Sequence, residues 1–216
     1  MAQTMAKSPK SAFNQAQKRE ILADYKLGWT SRHLSLIGRK EVLSGKAKFG
    51  IFGDGKEIPQ IALSKVFRNG DFRSGYYRDQ TFMLAIGELK PTQFFAQLYA
   101  HADVNFEPFS GGRQMNSHFA TRLVDGDGKW IDQTKSKNTS SDISPTAGQM
   151  ARLLGLAQAS KVYRNENSLK GKDWKKFSNK GNEIAFGTIG DASTSEGVFW
   201  ETINAAGVLQ VPLVMS

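Results

Sequence analysis

The chain has 216 residues, of which 39% are hydrophobic and 23% charged, values typical of a globular protein with a packed core. It has no cysteine, which excludes disulfides, thiolate catalysis and cysteine-based metal sites, and its three histidines form no zinc motif. No apolar stretch suits a membrane helix or a signal peptide, so we expect no membrane partner and a cytoplasmic location. The net charge of +9 allows an anionic partner, but basic residues are spread over the chain, which favours a solvated surface.

The N-terminal half of the chain predicts mainly helices. Residues 1–17 are polar and basic and predict a flexible tail, followed by one domain over residues 18–216. Apolar residues at helical spacing predict one or two amphipathic helices from Lys18 to Val42 and shorter helices over Glu57–Phe67, Gln80–Ile86 and Pro91–Tyr99. Residues 101–143 lack periodicity apart from a hairpin signal at Asp125–Gly128, and such long irregular segments are usually functional or disordered.

The C-terminal part predicts a β-α-β unit. A helix over Thr146–Tyr163 carries small residues, which either close packing or the approach of a ligand would explain. A strand (Glu183–Ile189), a polar turn (Gly190–Gly197), a helix (Val198–Leu209) and a second strand from Val211 follow. The predicted fold class is therefore α/β, a parallel sheet flanked by helices, with a helical N-terminal extension. Because the sequence stops inside the last strand, we expect a fragment of a longer protein.

The turn Gly190–Gly197 is the first candidate site. A helix N-terminus presents free N–H groups and a positive dipole end, which suit a phosphate, and Asp191 could hold Mg²⁺ against it. An ordinary strand-to-helix turn with a Ser/Thr cap explains the same residues equally well. The turn by itself leaves these two interpretations open.

Four blocks, in order, carry a resemblance to a known family. They are Gly75-Tyr76-Tyr77-Arg78-Asp79, Gly112-Arg113-Gln114-Met115 with His118, Ser144-Pro145-Thr146-Ala147-Gly148-Gln149, and Gly190-Asp191-Ala192 with Glu196-Gly197, Glu201, Asn204-Ala205-Ala206 and Val211-Pro212. The set resembles the thiamine-diphosphate-dependent 2-oxo-acid dehydrogenases, in particular their alpha subunit or alpha half. The resemblance is clear over residues 75–216 and weaker from about residue 45.

The resemblance implies a role for each matching residue. Asp191, in the motif that begins at Gly190, would be a Mg²⁺ ligand, and the N–H groups of Ala192 and Ser193 would meet the diphosphate. Tyr77 and Arg78 would also bind the diphosphate, while Ser144 and the Thr146 backbone would contact the aminopyrimidine. His118 would lie near the reacting carbon as an acid/base or an electrostatic partner. Without the resemblance, a core tyrosine, a surface ion pair and a satisfied loop histidine would explain Tyr77, Arg78 and His118.

The resemblance also implies an activity and partners. The family decarboxylates a 2-oxo acid, pyruvate or a branched-chain one, and transfers the acyl group to a lipoyl domain of the acyltransferase component. A beta subunit or fused beta half would complete the site, so we expect an oligomer and an isolated fragment without activity. The alternatives are another thiamine-diphosphate enzyme of transketolase type and a non-catalytic basic module that binds anions or nucleic acid.

Three departures from the family pattern affect these expectations. Ala192 replaces the second glycine of the Gly-Asp-Gly motif, which is tolerable if its φ is negative. Gly148 stands where branched-chain enzymes carry a threonine that helps to bind potassium, so that ion site is in doubt. The second Mg²⁺ ligand would fall beyond Ser216, and Arg164–Lys180 is expected to be an inserted surface loop.

Overall fold

The computed structural model describes residues 13–166, 169 and 173–216. Six α-helices and four β-strands are found in this part of the chain. The helices are α1 (Gln15–Leu43), α2 (Glu57–Ser64), α3 (Gln80–Ala85), α4 (Pro91–Leu98), α5 (Gln149–Asn165) and α6 (Gly197–Leu209). The strands are β1 (Phe72–Ser74), β2 (Asn138–Thr139), β3 (Ala185–Gly187) and β4 (Leu213–Met215). Short 3-10 helices cover Gln133–Lys135, Asp173–Lys176 and Asp191–Ser195.

The strands form one parallel sheet in the order β2-β1-β3-β4. The predicted α/β class and the β3-α6-β4 unit are confirmed. The central strand β1 and the edge strand β2 were not predicted, because neither short segment has an alternating or continuous apolar pattern. The hairpin signal is also confirmed, since Val124 pairs antiparallel with Trp130 around the Asp125–Gly128 turn.

Two hydrophobic clusters cover opposite faces of the sheet. Adjacent residues of β3 belong to different clusters, Ala185 to one and Phe186 to the other, and successive side chains of a strand point to opposite faces. The larger cluster contains apolar side chains of α1, α3 and α4, including Leu34, Phe82, Met83 and Phe94. The smaller cluster contains α5 residues such as Met150 and Leu153, with partly buried side chains of α6 against it.

The helix α1 differs from its prediction in two ways. It begins at Gln15, before the predicted boundary at residue 17, because Asn14 and Gln17 cap it reciprocally with two 2.9 Å hydrogen bonds. Only part of its apolar repeat faces the core, since Leu34 is buried whereas Ile21 and Tyr25 are exposed, and the other buried positions include Ser31 and Ser35. The remainder of the predicted tail, residues 1–12, lies outside the described residues.

Of the small residues predicted along the α5 segment, Ala147 and Ala157 are buried in the smaller cluster and serve close packing. The buried face of this helix presses on β3, where a Cβ atom added to Gly187 would overlap Leu153. Ala151 and Gly155 are exposed, and a Cβ added at Gly155 would meet no neighbouring atom of the described residues within 4 Å. The loop expected over Arg164–Lys180 lies partly outside the described residues, and its described part packs back through Trp174, whose ring stacks on Tyr163 at 6.2 Å. None of the described helices is both long and apolar enough to cross a membrane.

Candidate functional site

The predicted site residues gather at one edge of the sheet. In a parallel sheet the carboxyl ends of neighbouring strands meet at the same edge, and ligands of such sheets bind there. Tyr77 and Arg78 follow β1, Ser144 and Thr146 follow β2, and Gly190–Ser193 follow β3. Because β2, β1 and β3 are adjacent, three of the four motif blocks form one cluster of loops.

A row of rings joins these loops and brings in the fourth block. A Cβ added to Gly190 would lie 3.6 Å from the ring of Tyr76, so this ring borders the Gly190 turn. The Tyr76 and Tyr77 rings are 5.2 Å apart, and Tyr77 stacks on His118 with centroids 6.3 Å apart. Burial, and secondarily the negative charge of Asp79, raises the pKa of the Tyr76 hydroxyl to about 12, so it stays neutral near pH 7.

His118 is bonded on both sides of its ring. Its Nδ1 lies 3.2 Å from the carbonyl oxygen of Asn116, which can only accept, so Nδ1 carries a proton. In the neutral ring Nε2 then accepts from the Ser144 hydroxyl at 3.0 Å. His118 is 2% exposed whereas Ser144 is exposed, so the hydroxyl is the accessible end of this pair. The role predicted for His118 near the reacting carbon stays a prediction.

The turn after β3 is a single 3-10 turn that precedes α6. Asp191 is exposed, and its carboxylate has no hydrogen-bond or ion-pair partner among the described residues. The N–H groups of Asp191 and Ala192 also have no acceptor there, whereas the Ser193 N–H donates to the Gly190 carbonyl at 3.0 Å. The Ser and Thr residues do not cap α6, whose N-cap is Glu196. Ala192 does not have a positive φ, which satisfies the condition set for its replacement of glycine.

Arg78 offers a second group suited to an anion. Its side chain is exposed, and its guanidinium lies 5.9 Å from the Tyr77 ring centroid without a hydrogen bond or ion pair to the described residues. A free, planar donor fork of this kind suits phosphate oxygens. The described residues include no group of three His, Asp or Glu side chains placed to hold a metal ion. Asp191 could supply one Mg²⁺ ligand beside phosphate oxygens and waters, which is the usual ligand set of this ion.

The segment from Ser144 to Gly148 enters α5 through a strained backbone. Ala147 is buried and has a φ of +57°, a left-handed conformation that costs a non-glycine residue roughly 1–2 kcal/mol. Thr146 is exposed beside it. A Cβ added at Gly148 would lie 2.7 Å from Cδ1 of Ile143, so a threonine would fit only if Ile143 moved.

Two groups of buried carboxylates were not predicted from the sequence. Asp79 and Asp142 both bond to Arg73, a fully buried side chain of β1, at 2.7 and 3.0 Å. Glu107, also fully buried, accepts from the N–H groups of Phe109, Ser110 and Gly112 and so shapes the loop that leads to His118. The available signal was that Asp79 belongs to the first motif block and Asp142 lies two residues before the third, but an acidic residue in or next to a motif is not by itself evidence of burial.

This arrangement is that of an α/β protein with a candidate ligand site at the carboxyl edge of a parallel sheet. Residues 25–216 match the family described as Dehydrogenase E1 component, and the chain belongs to this family. The family predicted from the four motif blocks, the thiamine-diphosphate-dependent 2-oxo-acid dehydrogenases, is thereby confirmed.

The chain is similar to the 2-oxoisovalerate dehydrogenase subunit alpha of Bacillus subtilis (strain 168). The two are 29% identical over 175 residues, which is 79% of this chain and 42% of the relative. The chain therefore spans less than half the length of that relative.

Proposed function

We propose that this chain is the diphosphate-binding part of the alpha region of a 2-oxo-acid dehydrogenase, and that its substrate is a branched-chain 2-oxo acid or pyruvate. The family match supports the enzyme class over a transketolase-type enzyme and over a basic nucleic-acid-binding module. The name of the similar Bacillus protein favours the branched-chain substrate.

One observation carries the proposal: the turn after β3 presents, beside the Tyr76 ring, a carboxylate and two N–H groups that are unpaired within the described part of the chain. Among the described residues, the Asp191 carboxylate has no partner and so suits a cation, and the N–H groups of Asp191 and Ala192 have no acceptor and so suit an anion. A magnesium diphosphate contains both partners. These residues therefore fit the diphosphate end of thiamine diphosphate together with Mg²⁺.

The remaining predicted site residues have separate proposed roles. Arg78 would donate to the diphosphate, with Tyr77 beside it, and the Ala192 N–H would donate from the turn. The Ser193 N–H would join it only after leaving the Gly190 carbonyl. Ser144 and the Thr146 backbone would contact the aminopyrimidine. His118 would hold or move a proton through Ser144, because its Nε2 is bonded to that hydroxyl.

Thiamine diphosphate, when bound, supplies the carbanion chemistry for decarboxylation of the 2-oxo acid. The acyl group would pass to a lipoyl domain of the acyltransferase component. A beta subunit or fused beta half would complete the site, which makes the active form an oligomer, and this chain alone would not turn over. A cytoplasmic location stays a prediction.

Calorimetry on the complete protein, assembled with its beta region, tests the proposal. We expect Mg²⁺-dependent binding of thiamine diphosphate that Asp191→Ala weakens by about 100-fold or more, because changes in outer-shell partners alone cost about 10–100-fold. Asp127→Ala is the matched control, since Asp127 is a hairpin carboxylate with 79% side-chain exposure. Equal binding by wild type and Asp191→Ala, or no binding by a folded wild-type complex, would refute the proposal.

A further inference from the structure

A fully buried network lies beneath the candidate site, with Arg73 at its centre. The Arg73 Nε donates to Asp79 at 2.7 Å, and its two NH₂ groups donate to Thr139, Asp142 and the Tyr76 carbonyl at 2.9–3.1 Å. The side chains of Arg73, Asp79 and Asp142 are at most 1% exposed. None of the three was assigned a role from the motifs.

The two carboxylates extend this network to every loop of the site. Asp79 accepts from the Thr188 hydroxyl and from the Tyr76 N–H, and Asp142 accepts from the Phe119 N–H at 3.0 Å. Each residue in these hydrogen bonds is close in sequence to a residue that is predicted to contact the ligand. Tyr76 precedes Tyr77, Phe119 follows His118, Asp142 precedes Ser144, and Thr188 precedes Gly190.

The physical setting makes these bonds rigid. Charge-assisted hydrogen bonds are stronger than neutral ones, and burial removes competition from water. Both the N–H and the carbonyl of Tyr76 are held, so the orientation of the Tyr76–Arg78 segment depends on the network. One guanidinium faces two carboxylates, and Asp142 Oδ1 is buried without a partner among the described residues. Such a cluster is weak evidence for stability but can fix a conformation.

We infer that Arg73, Asp79, Asp142 and Thr188 are positioning residues that hold the four motif loops in the geometry required to bind the cofactor. This inference rests on the proposed function. Thr188 is the most informative member, because its hydroxyl is the link between the network and the β3 turn that contains Asp191. Without that hydroxyl, Asp79 still has Arg73 and the Tyr76 N–H as donors, so the network itself remains.

Three variants of the complete protein, assembled with its beta region, test the inference. Thr188→Val keeps the side-chain shape and removes the hydroxyl, whereas Thr188→Ser keeps the hydroxyl and removes the methyl group. Thr202→Val is the control, since Thr202 is a 2% exposed threonine of α6 whose hydroxyl bonds to none of the described residues. The readouts are the dissociation constant for thiamine diphosphate with Mg²⁺, the thermal midpoint, and hydrogen–deuterium exchange of residues 75–79 and 188–193.

We expect Thr188→Val to raise the dissociation constant by about tenfold, the order found for outer-shell partners of a metal site. Thr188→Ser should stay within about twofold of wild type, and Thr202→Val should bind as wild type does. Exchange should rise in both loops in Thr188→Val alone. The inference would be overturned if the dissociation constants of the variants changed in step with their thermal midpoints and not with the presence of the hydroxyl at residue 188.

The remaining outcomes separate this inference from the proposed function. If wild type binds and Thr188→Val binds equally well, the inference fails while the proposed function stands. If the wild-type complex is folded and does not bind, the proposed function fails, and with it the claim that the network serves a cofactor site.

Discussion

A single pair of residues shows how side-chain chemistry connects distant segments. The Tyr99 hydroxyl, after α4, donates to the Glu41 carboxylate near the end of α1 at 2.5 Å. This hydrogen bond, with a smaller contribution from Lys46, holds the pKa of Glu41 below its ordinary value of 4.5. The same bond raises the pKa of Tyr99. The pair is thus a pH-dependent contact between two helices.

Tyr99→Phe should remove this dependence. A carboxyl group with a lowered folded-state pKa contributes stability above its unfolded pKa and loses it as pH falls through the folded value. We therefore expect wild type to be more stable than Tyr99→Phe at neutral pH and the difference to vanish in acid. Urea unfolding of both proteins, at neutral pH and below the folded pKa of Glu41, measures this. A difference that is constant with pH would contradict the assignment.

The end of α4 shows how an element can be closed by an unfavourable residue. The Ala100 N–H donates to the Gln97 carbonyl at 3.1 Å and the His101 N–H to the Ala96 carbonyl at 2.9 Å. These are the two bonds of a Schellman motif, whose left-handed residue is usually glycine. Here the position is occupied by Ala100, with a φ of +53°.

Ala100→Gly should therefore raise the free energy of unfolding by about 1 kcal/mol, since glycine adopts a left-handed φ without the steric cost paid by alanine. Ala96→Gly, inside the same helix, is the control and should lower it by about 1 kcal/mol. Denaturant unfolding of the two variants gives both values. Destabilisation by both substitutions would show that the backbone at residue 100 is not strained.

At the scale of the whole molecule, the buried Arg73 network joins the three strands that carry the site. Arg73 comes from β1, Thr139 from β2, and Thr188 follows β3. Each strand is short, so few backbone hydrogen bonds tie it to its neighbours. The side-chain network therefore supplements the sheet where the loops of the site begin.

Arg73→Met should destabilise the protein by about 3–5 kcal/mol, because it leaves two carboxylates buried without their cation. Arg39→Met is the comparison, since the Arg39–Asp54 pair has a similar distance of 2.7 Å but Arg39 is 48% exposed. Loss of the Arg39–Asp54 pair should lower the free energy of unfolding by no more than about 1 kcal/mol. The unfolding midpoints of the two variants measure both losses of stability. Similar losses for Arg73→Met and Arg39→Met would argue against a special role of burial.

Much of the fold follows from local sequence signals. Helices α2 to α6 were predicted from apolar spacing and glycine or proline boundaries, which depend on neighbouring residues. The β3-α6-β4 unit followed from two apolar strands around a helix, and the family followed from four ordered motif blocks. These features can be recognised because each one lies within a short stretch of chain.

The remaining features depended on contacts between distant segments. β1 and β2 contain the buried polar residues Arg73, Ser74, Asn138 and Thr139, whose pattern does not indicate strands. Only pairing with β3 and the shared buried hydrogen bonds make them part of the sheet. The sequence by itself determined most of the helices and the family, and it predicted the residues proposed to bind a magnesium diphosphate. The tertiary structure decided which of those residues are accessible, because the turn after β3 leaves Asp191 exposed and without a partner among the described residues, whereas long-range packing buries His118 behind Ser144.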